Sequence, residues 1–590
     1  MKRVAFVAVL LGASMVVAQS KRGGSQVTKS DRESPAFNQL VDRYFEDYFR
    51  FNPTAATSTG YHEYDTKLED YSAKSVQERI TAFRKWKGEF EKFNASKSDE
   101  LEKSDRDLVI ASINSNLLEL ESIKQWEHNP DRYSSGVSNS AFTIMERKFA
   151  SPDARLKSLV EREKQMPGVF TAARANLKAV PRIYAEIALE QIPGIVGFFE
   201  KDVPEAFKDA QDEKLKAEFA KTNKAVINAL NEYGKWLKDD LLPKSNGDFR
   251  IGVDNYRKKL LYDEMVDIPI DRLLEIGMAD LRRNQDHFRK VAAQIDSTRP
   301  PDQILHDLEI DHPAPDQLLQ SFRDTFAGLQ DFIKTKHIIT IPSPVLPILE
   351  ETPPFMRALT FASMDTPGPY EKLAKEAYFN VTLPEANWPK AQTEEHMAAF
   401  NRGTIVSTAI HEAYPGHYVQ FLWVQSAPSK VRKLIGCGSN AEGWAHYTEQ
   451  MMLDEGYGSA SGKEDLNDKQ FLKLRLGQLQ DALLRNARYI VGIQMHTGKM
   501  TFEQGEQFFE KEGFQSPANS LRETKRGTSD PTYLMYTLGK LQIIKLRDDY
   551  KKLKGDQFSL EEFHNGIMSQ GFPPLKIIRR AMLGDDSPAL

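Results

Sequence analysis

Apolar residues recur every three or four positions along most of this chain, and that period commits it to helices packed on helices. "FNQLVDRYFEDYFRF" (37–51) shows the pattern near the start. "RLKSLVEREKQMPGVFTAARANLKAVP" and "EKLKAEFAKTNKAVINALNEYGKWLKDDLLP" repeat it. Pro- and Gly-marked loops such as "EHNPDRYSSG" and "KSNGD" separate these stretches, and no fixed-period repeat of the solenoid kind runs through them.

The pattern breaks once. From "STRPPD" (297–302) to about residue 390 prolines crowd the sequence, as in "DHPAPD", "IPSPVLPILEETPPF" and "LPEANWP". Among them lie three short β-like runs, "HIITI" (337–341), "LTFAS" (359–363) and "AYFNVTL" (377–383), which predict a small antiparallel sheet. Helical spacing returns at "EEHMAAFNRGTIVSTAIHEAYPGHYVQFLWVQ" and continues almost to the end. A chain of 590 residues exceeds what one hydrophobic core serves, about 250–300 residues. The expected architecture is therefore mainly α, large and multi-lobed, with a small antiparallel β insert. The segments are a leader (1–18), a flexible linker (19–34), an N-terminal helical lobe (35–297), the Pro-rich segment (298–390) and a C-terminal helical lobe (391–590).

Residues 1–18 read as a secretory signal peptide. Met1-Lys2-Arg3 is the charged start, Val4 to Val17 the apolar run, and Val16-Val17-Ala18 a small-residue cleavage site before Gln19. The run is short for an uncleaved membrane anchor, and no later stretch is long and apolar enough to span a bilayer. The expected location is extracytoplasmic, periplasmic or secreted, with no stable membrane span after cleavage. The single cysteine, Cys437, excludes an intramolecular disulfide and lies far from any lipid-modified N-terminus, so it reads as a packing residue. A net charge of −5 with no basic block argues against nucleic acid as a partner.

The chemistry concentrates in "HEAYPGHYVQ" (411–420). A zinc-peptidase helix carries H-E-x-x-H, two imidazoles on one face with the Glu as general base. Here His417 follows His411 by six positions, with Pro415 and Gly416 just before it. In a regular helix residues six apart are separated by about 120° in azimuth. Pro415 cannot donate to the carbonyl of His411, and Gly416 tolerates the backbone that follows. A widened, π-like turn at Tyr414-Pro415-Gly416 would return His417 to the face of His411. The competing reading is a helix end at Tyr414 and an unrelated His417.

"NAEGWAHYTEQ" (440–450) supplies the acids. Glu442, His446 and Glu449 share one helix face, and the two Glu follow His417 by 25 and 32 residues. A catalytic zinc takes three protein ligands and leaves a position open, so this stripe fits one ligand and one carboxylate behind it. The bland alternative, a solvated charged face, fits poorly with Trp444 and its small neighbours.

These paired motifs resemble the bacterial domain of unknown function 885 family, mainly helical proteins similar to zinc peptidases with a His, His, Glu site. The resemblance extends through "LLRNARYIVGIQMHTGKMTFEQGEQFF", "DPTYLMYTLGKLQIIKLRDDY", "FHNGIMSQGFPPL" and the early "NPTAATSTGYHEYDTKLEDYS", nearly all of the mature chain. Dipeptidyl peptidase III, with one inserted residue in its motif, is a precedent for lengthened His spacing. The resemblance puts the motif acid at Glu442. It implies one Zn²⁺ held by His411, His417 and Glu442, with Glu449 and His446 behind them. His446 stands where the family more often has an apolar residue, so its imidazole either competes as a ligand or tunes Glu449.

The expected activity is that of a secreted zinc-dependent metallopeptidase-like hydrolase. Glu412 is the general base, and Tyr536 the expected oxyanion donor, with His496 and Arg488 as weaker candidates. A peptide substrate is implied by the resemblance alone, and an edge strand of the β insert would pair with its main chain. The alternatives are a catalytically inactive secreted helical binding protein and a metal-dependent hydrolase of non-peptide amides or esters. An intact Glu412 argues against the first, because a purely structural site is closed by four protein ligands and needs no base.

Overall fold

Capping and one-sided burial explain the helices individually. In Pro35–Phe51 the Ser34 side chain accepts from the Phe37 N–H, Pro35 occupies the first turn, and Phe37, Leu40, Val41, Tyr44, Phe45 and Phe49 are buried along one face. The computed structural model describes residues 34–95, 98–353, 357 and 360–590. The expected leader and the linker up to residue 33 lie outside them. The described chain is mainly α-helical, with one small sheet among the described residues. None of the described helices is long and apolar enough to cross a membrane.

The hydrophobic clusters do not follow the composition break near residue 297. Tyr256, Leu273, Leu281 and Phe288 pack with Leu476, Leu483, Ile490 and Leu538 from far downstream. The helix Lys469–His496 is buried on nearly every side and forms the axis of this region. Gly277 lets the helix Ile270–Ile295 approach it, since a Cβ there would stand 2.4 Å from the Tyr489 ring. Val431 and Ile577 likewise join the aromatic cluster of Phe37, Tyr44, Phe83 and Phe90.

The sheet is mixed, which corrects the antiparallel expectation. Its strands are β1 (Ile348–Glu351), β2 (Ala362–Asp365) and β3 (Tyr378–Val381), in the order β1-β3-β2. β2 runs antiparallel to β3, with Met364 opposite Phe379, but β1 is parallel to it. The segment after β1 supplies the crossover that a parallel pair requires, and β2 lies within it. The run 337–341 forms no strand. Ile338 and Ile339 are buried, but side chains satisfy its backbone. His564 Nδ1–H donates to the Ile338 carbonyl, Trp423 Nε1–H to the Thr340 carbonyl, and the Thr340 N–H donates to Asn565 Oδ1. The apolar, β-branched run misleads there, because it does not say who pairs with the main chain.

Candidate metal centre

The first site helix, Arg402–Glu412, starts at Asn401, whose side chain accepts from the N–H groups of Gly403 and Thr404 at 3.0 and 3.1 Å. It does not widen and continue, as the sequence suggests. The Tyr414 N–H makes one π-type bond to the Ala409 carbonyl (3.1 Å), then the helix stops, and a second one begins at His417 (His417–Val424). The Tyr414–Pro415 peptide is cis. Pro415 brings no N–H to continue the ladder. Gly416 folds back so tightly that a Cβ there would stand 1.7 Å from the His411 carbonyl oxygen. The break, rather than a bulge, turns His417 back toward His411. Trp444 secures it from the third site helix (Gly438–Asp454), its indole N–H donating to the Pro415 carbonyl at 2.9 Å.

The result is a convergence of His411, His417 and Glu442, with one ligand atom from each lying within 4.8 Å of the others. Glu442 Oε2 is 3.4 Å from His411 Nε2 and 3.4 Å from His417 Nε2. Two ligand atoms at about 2.05 Å from a tetrahedral ion are separated by about 3.3 Å, so these spacings suit a small divalent cation. Glu442 Oε2 is buried and accepts no hydrogen bond within the protein. Burial disfavours charge on both partners, yet Glu442 and Glu449 hold the His411 imidazole up at about 10, and the two His hold Glu442 well below the usual carboxylate range. Both shifts describe a pocket that favours a cation.

Behind the cluster, Glu449 is fully buried. Its carboxylate accepts from His411 Nδ1–H (2.7 Å), from His446 Nδ1–H (3.0 Å) and from Arg485 (2.8 Å). A carboxylate only accepts, so Glu449 holds a proton at His411 Nδ1 and leaves Nε2 as the nitrogen turned to the cluster. Burial pushes His446 down to about 3, with Lys540 adding to the effect, so it is neutral and serves Glu449 rather than the cluster. Arg485 and Trp444 are the contributors that sequence reasoning missed. Arg485 sits in the quoted "LLRNARY" run beside Arg488, and no local spacing distinguishes the two.

Glu412 is adjacent to the candidate ligand His411 without completing the set, its Oε1 4.0 Å from His411 Nε2. Burial raises its pKa, and the nearby His411 and His417 oppose the rise. The backbone N–H of Met364 in β2 opposes it too. β2 bonds to β3 through Phe361 and its alternate neighbours, so the Met364 N–H faces outward. Tyr536 stands beside His411. Its ring is stacked near His411 (centroids 6.3 Å, 22°), and its hydroxyl is 3.3 Å from Arg526 Nη2. Gly539 lets two helices approach closely. A Cβ there would stand 1.8 Å from the Ser439 carbonyl oxygen, so the Tyr536 helix crosses the Glu442 helix almost backbone to backbone. Two weaker candidates are otherwise engaged. His496 bonds the Gly527 carbonyl and the Ile251 N–H, away from the cluster, and Arg488 is clamped on Glu523 by two bonds of 2.7 and 2.9 Å. The Arg488 guanidinium also lies 5.0 Å over the Tyr536 ring.

Residues 53–582 match the family described as "Bacterial protein of unknown function (DUF885)". The chain belongs to this family. Two solved structures share the DUF885 chain's fold. One, a "putative lipoprotein of unknown function" from Shewanella oneidensis, is 28% identical, with a TM-score of 0.76, over 93% of this chain and 100% of that one. The other, a "putative lipoprotein" from Colwellia psychrerythraea, is 16% identical, with a TM-score of 0.77, over 93% and 98% of the two chains. A comparison with curated proteins finds no match.

Proposed function

We propose that this DUF885 protein is an extracytoplasmic, zinc-dependent hydrolase of peptide bonds. The observation that carries the reading is the buried, unbonded Glu442 oxygen 3.4 Å from both imidazole Nε2 atoms, with the unneeded carboxylate Glu412 beside it. His411, His417 and Glu442 would hold one zinc ion. When bound, the ion supplies positive charge that polarises a carbonyl and makes water acidic near neutral pH. Glu412 takes the proton of the attacking water and delivers it to the leaving amine, a task suited to a carboxyl whose pKa burial has raised. The Tyr536 hydroxyl donates to the oxygen that gains charge. A main-chain substrate is favoured over an ester by the outer edge of β2, where the Ala362 and Met364 N–H groups face away from β3. The leader-like residues 1–18 and the lipoprotein descriptions of the two structural neighbours support action outside the cytoplasm.

Metal analysis of the purified chain, together with Glu412→Gln, tests this. The variant is expected to retain zinc and lose turnover by roughly 10²- to 10⁴-fold. Loss of zinc from Glu412→Gln would make Glu412 a ligand and overturn the roles.

A further inference from the structure

A cavity of ≈ 580 Å³ beside the centre is lined by Phe361, Thr404, Thr408, Arg488, Arg522 and Glu523, among others. Thr404 and Thr408 precede Glu412 at steps of four on one helix, so the cavity follows the face that ends at the general base. Four arginines stand nearby. Arg485 is held by Glu449, Arg488 by Glu523, and Arg526 is 3.3 Å from both Asp530 and the Tyr536 hydroxyl. Arg522 differs. Among the described residues no carboxylate lies within ion-pair distance of it. Its hydrogen bond runs to Asn519 Oδ1 (2.6 Å), and its guanidinium lies 4.1 Å over the Phe361 ring. Burial pulls its pKa down, with Glu523 and Glu395 opposing only through their fields. A planar, poorly neutralised fork of this kind matches a carboxylate.

Phe361 sets where along a substrate that carboxylate would sit. It directly precedes β2, and Met364, whose N–H is at Glu412, comes three residues later. At about 3.3 Å per residue the separation is roughly 10 Å. The guanidinium–carboxylate contact itself occupies about 3 Å.

We propose that Arg522 binds the free α-carboxylate of a peptide, which makes the protein a carboxy-terminal exopeptidase releasing a fragment of about two residues. This rests on the hydrolase reading above. Water adds across the peptide C–N bond, giving a shortened acid and a short peptide whose new amine carries the proton from Glu412.

The full chain carrying Glu412→Gln, loaded with zinc, is titrated calorimetrically with three ligands. These are a short N-acetylated peptide acid, its C-terminal amide, and an amide ending in Glu. The acid is expected to bind roughly 10- to 100-fold more tightly than either amide. Adding Arg522→Gln should abolish that preference, while Arg522→Lys should retain part of it. Equal binding of acid and amide, survival of the preference in Arg522→Gln, or an amide ending in Glu that matches the acid would overturn the assignment. Turnover is read separately with Glu412 intact, by the mass of the released fragment. Cleavage of acid and amide alike would remove the carboxylate site and leave the hydrolase standing. Absence of cleavage with the acid preference intact would overturn the exopeptidase and hydrolase readings together, leaving Arg522 as a carboxylate-binding residue.

Discussion

Glu449 shows how one residue organises the centre without belonging to it. Burial alone would raise its carboxyl, but Arg485, His446 and His411 override that and keep it ionised. The proton it fixes on His411 Nδ1 is what presents Nε2 to a metal. Glu449→Gln should therefore weaken zinc binding about 10- to 100-fold, measured by competition with a chromophoric chelator, while the three ligands stay in place. Unchanged affinity would reduce Glu449 to a packing role. Tyr536→Phe probes a different contribution. The ring beside His411 remains, so stability should hold, but kcat should fall roughly 10²- to 10³-fold with little change in KM. Full kcat in this variant would return Tyr536 to a packed aromatic. At this scale the sequence is most legible where chemistry demands adjacency. His411, Glu412 and His417 stand within one short motif, and Glu442 and Glu449 share one helix face. It is least legible where partners meet only in space, as Arg485 meets Glu449 and the Met364 N–H meets Glu412.

Elements turn on the backbone between the two histidines. Pro415 and Gly416 announce an irregularity, and its purpose is readable from spacing, but its form is not. A bulge and a full break both restore the imidazoles to one side, and the choice depends on Gly416 lying against the end of its own helix and on Trp444, which arrives from a later one. Gly416→Ala would put a Cβ 1.7 Å from the His411 carbonyl oxygen, a clash that only a backbone shift relieves. We expect a loss of roughly 1–3 kcal/mol or more in denaturant unfolding, and loss of zinc binding with it. Gly88→Ala is the control. Nothing lies within 4 Å of its Cβ position in the helix Ala73–Lys92, so that change should stabilise by roughly 0.5–1 kcal/mol. Equal effects at the two sites would mean that the tight return at Gly416 matters no more than an ordinary helical glycine. The β insert teaches a related lesson. Its location was legible from composition, yet "HIITI" is held by side chains, and β1 joined the sheet from a stretch whose prolines obscured it.

For the whole molecule, periodicity predicts a mainly helical chain well, because each amphipathic face must be buried somewhere. It does not reveal which faces meet, and among the described residues one core cluster spans residue 297. Helix Ile270–Ile295 is welded to the C-terminal helices. Asp280 is the polar rivet of that junction, accepting from Asn486 (2.8 Å) and Arg283 (2.8 Å) and pairing with the buried Lys540 at 3.3 Å. Burial would raise its pKa, but Lys540, Asn486 and Arg283 prevail and lower it to about 2. A carboxyl depressed on folding stabilises fully above its unfolded pKa of about 3.9, and that contribution is lost as pH falls through the folded value. The shift corresponds to about 2 kcal/mol at neutral pH, for a group that is almost completely buried. Asp280→Asn should destabilise at neutral pH, since it leaves Lys540 buried without its counter-charge. The gap between wild type and variant should then narrow by about 2 kcal/mol between pH 5 and pH 2, as urea unfolding at successive pH values would record. A gap that stays constant across that window would mean that Asp280 titrates alike in the folded and unfolded chains, and that its ion pair with Lys540 does not stabilise the junction.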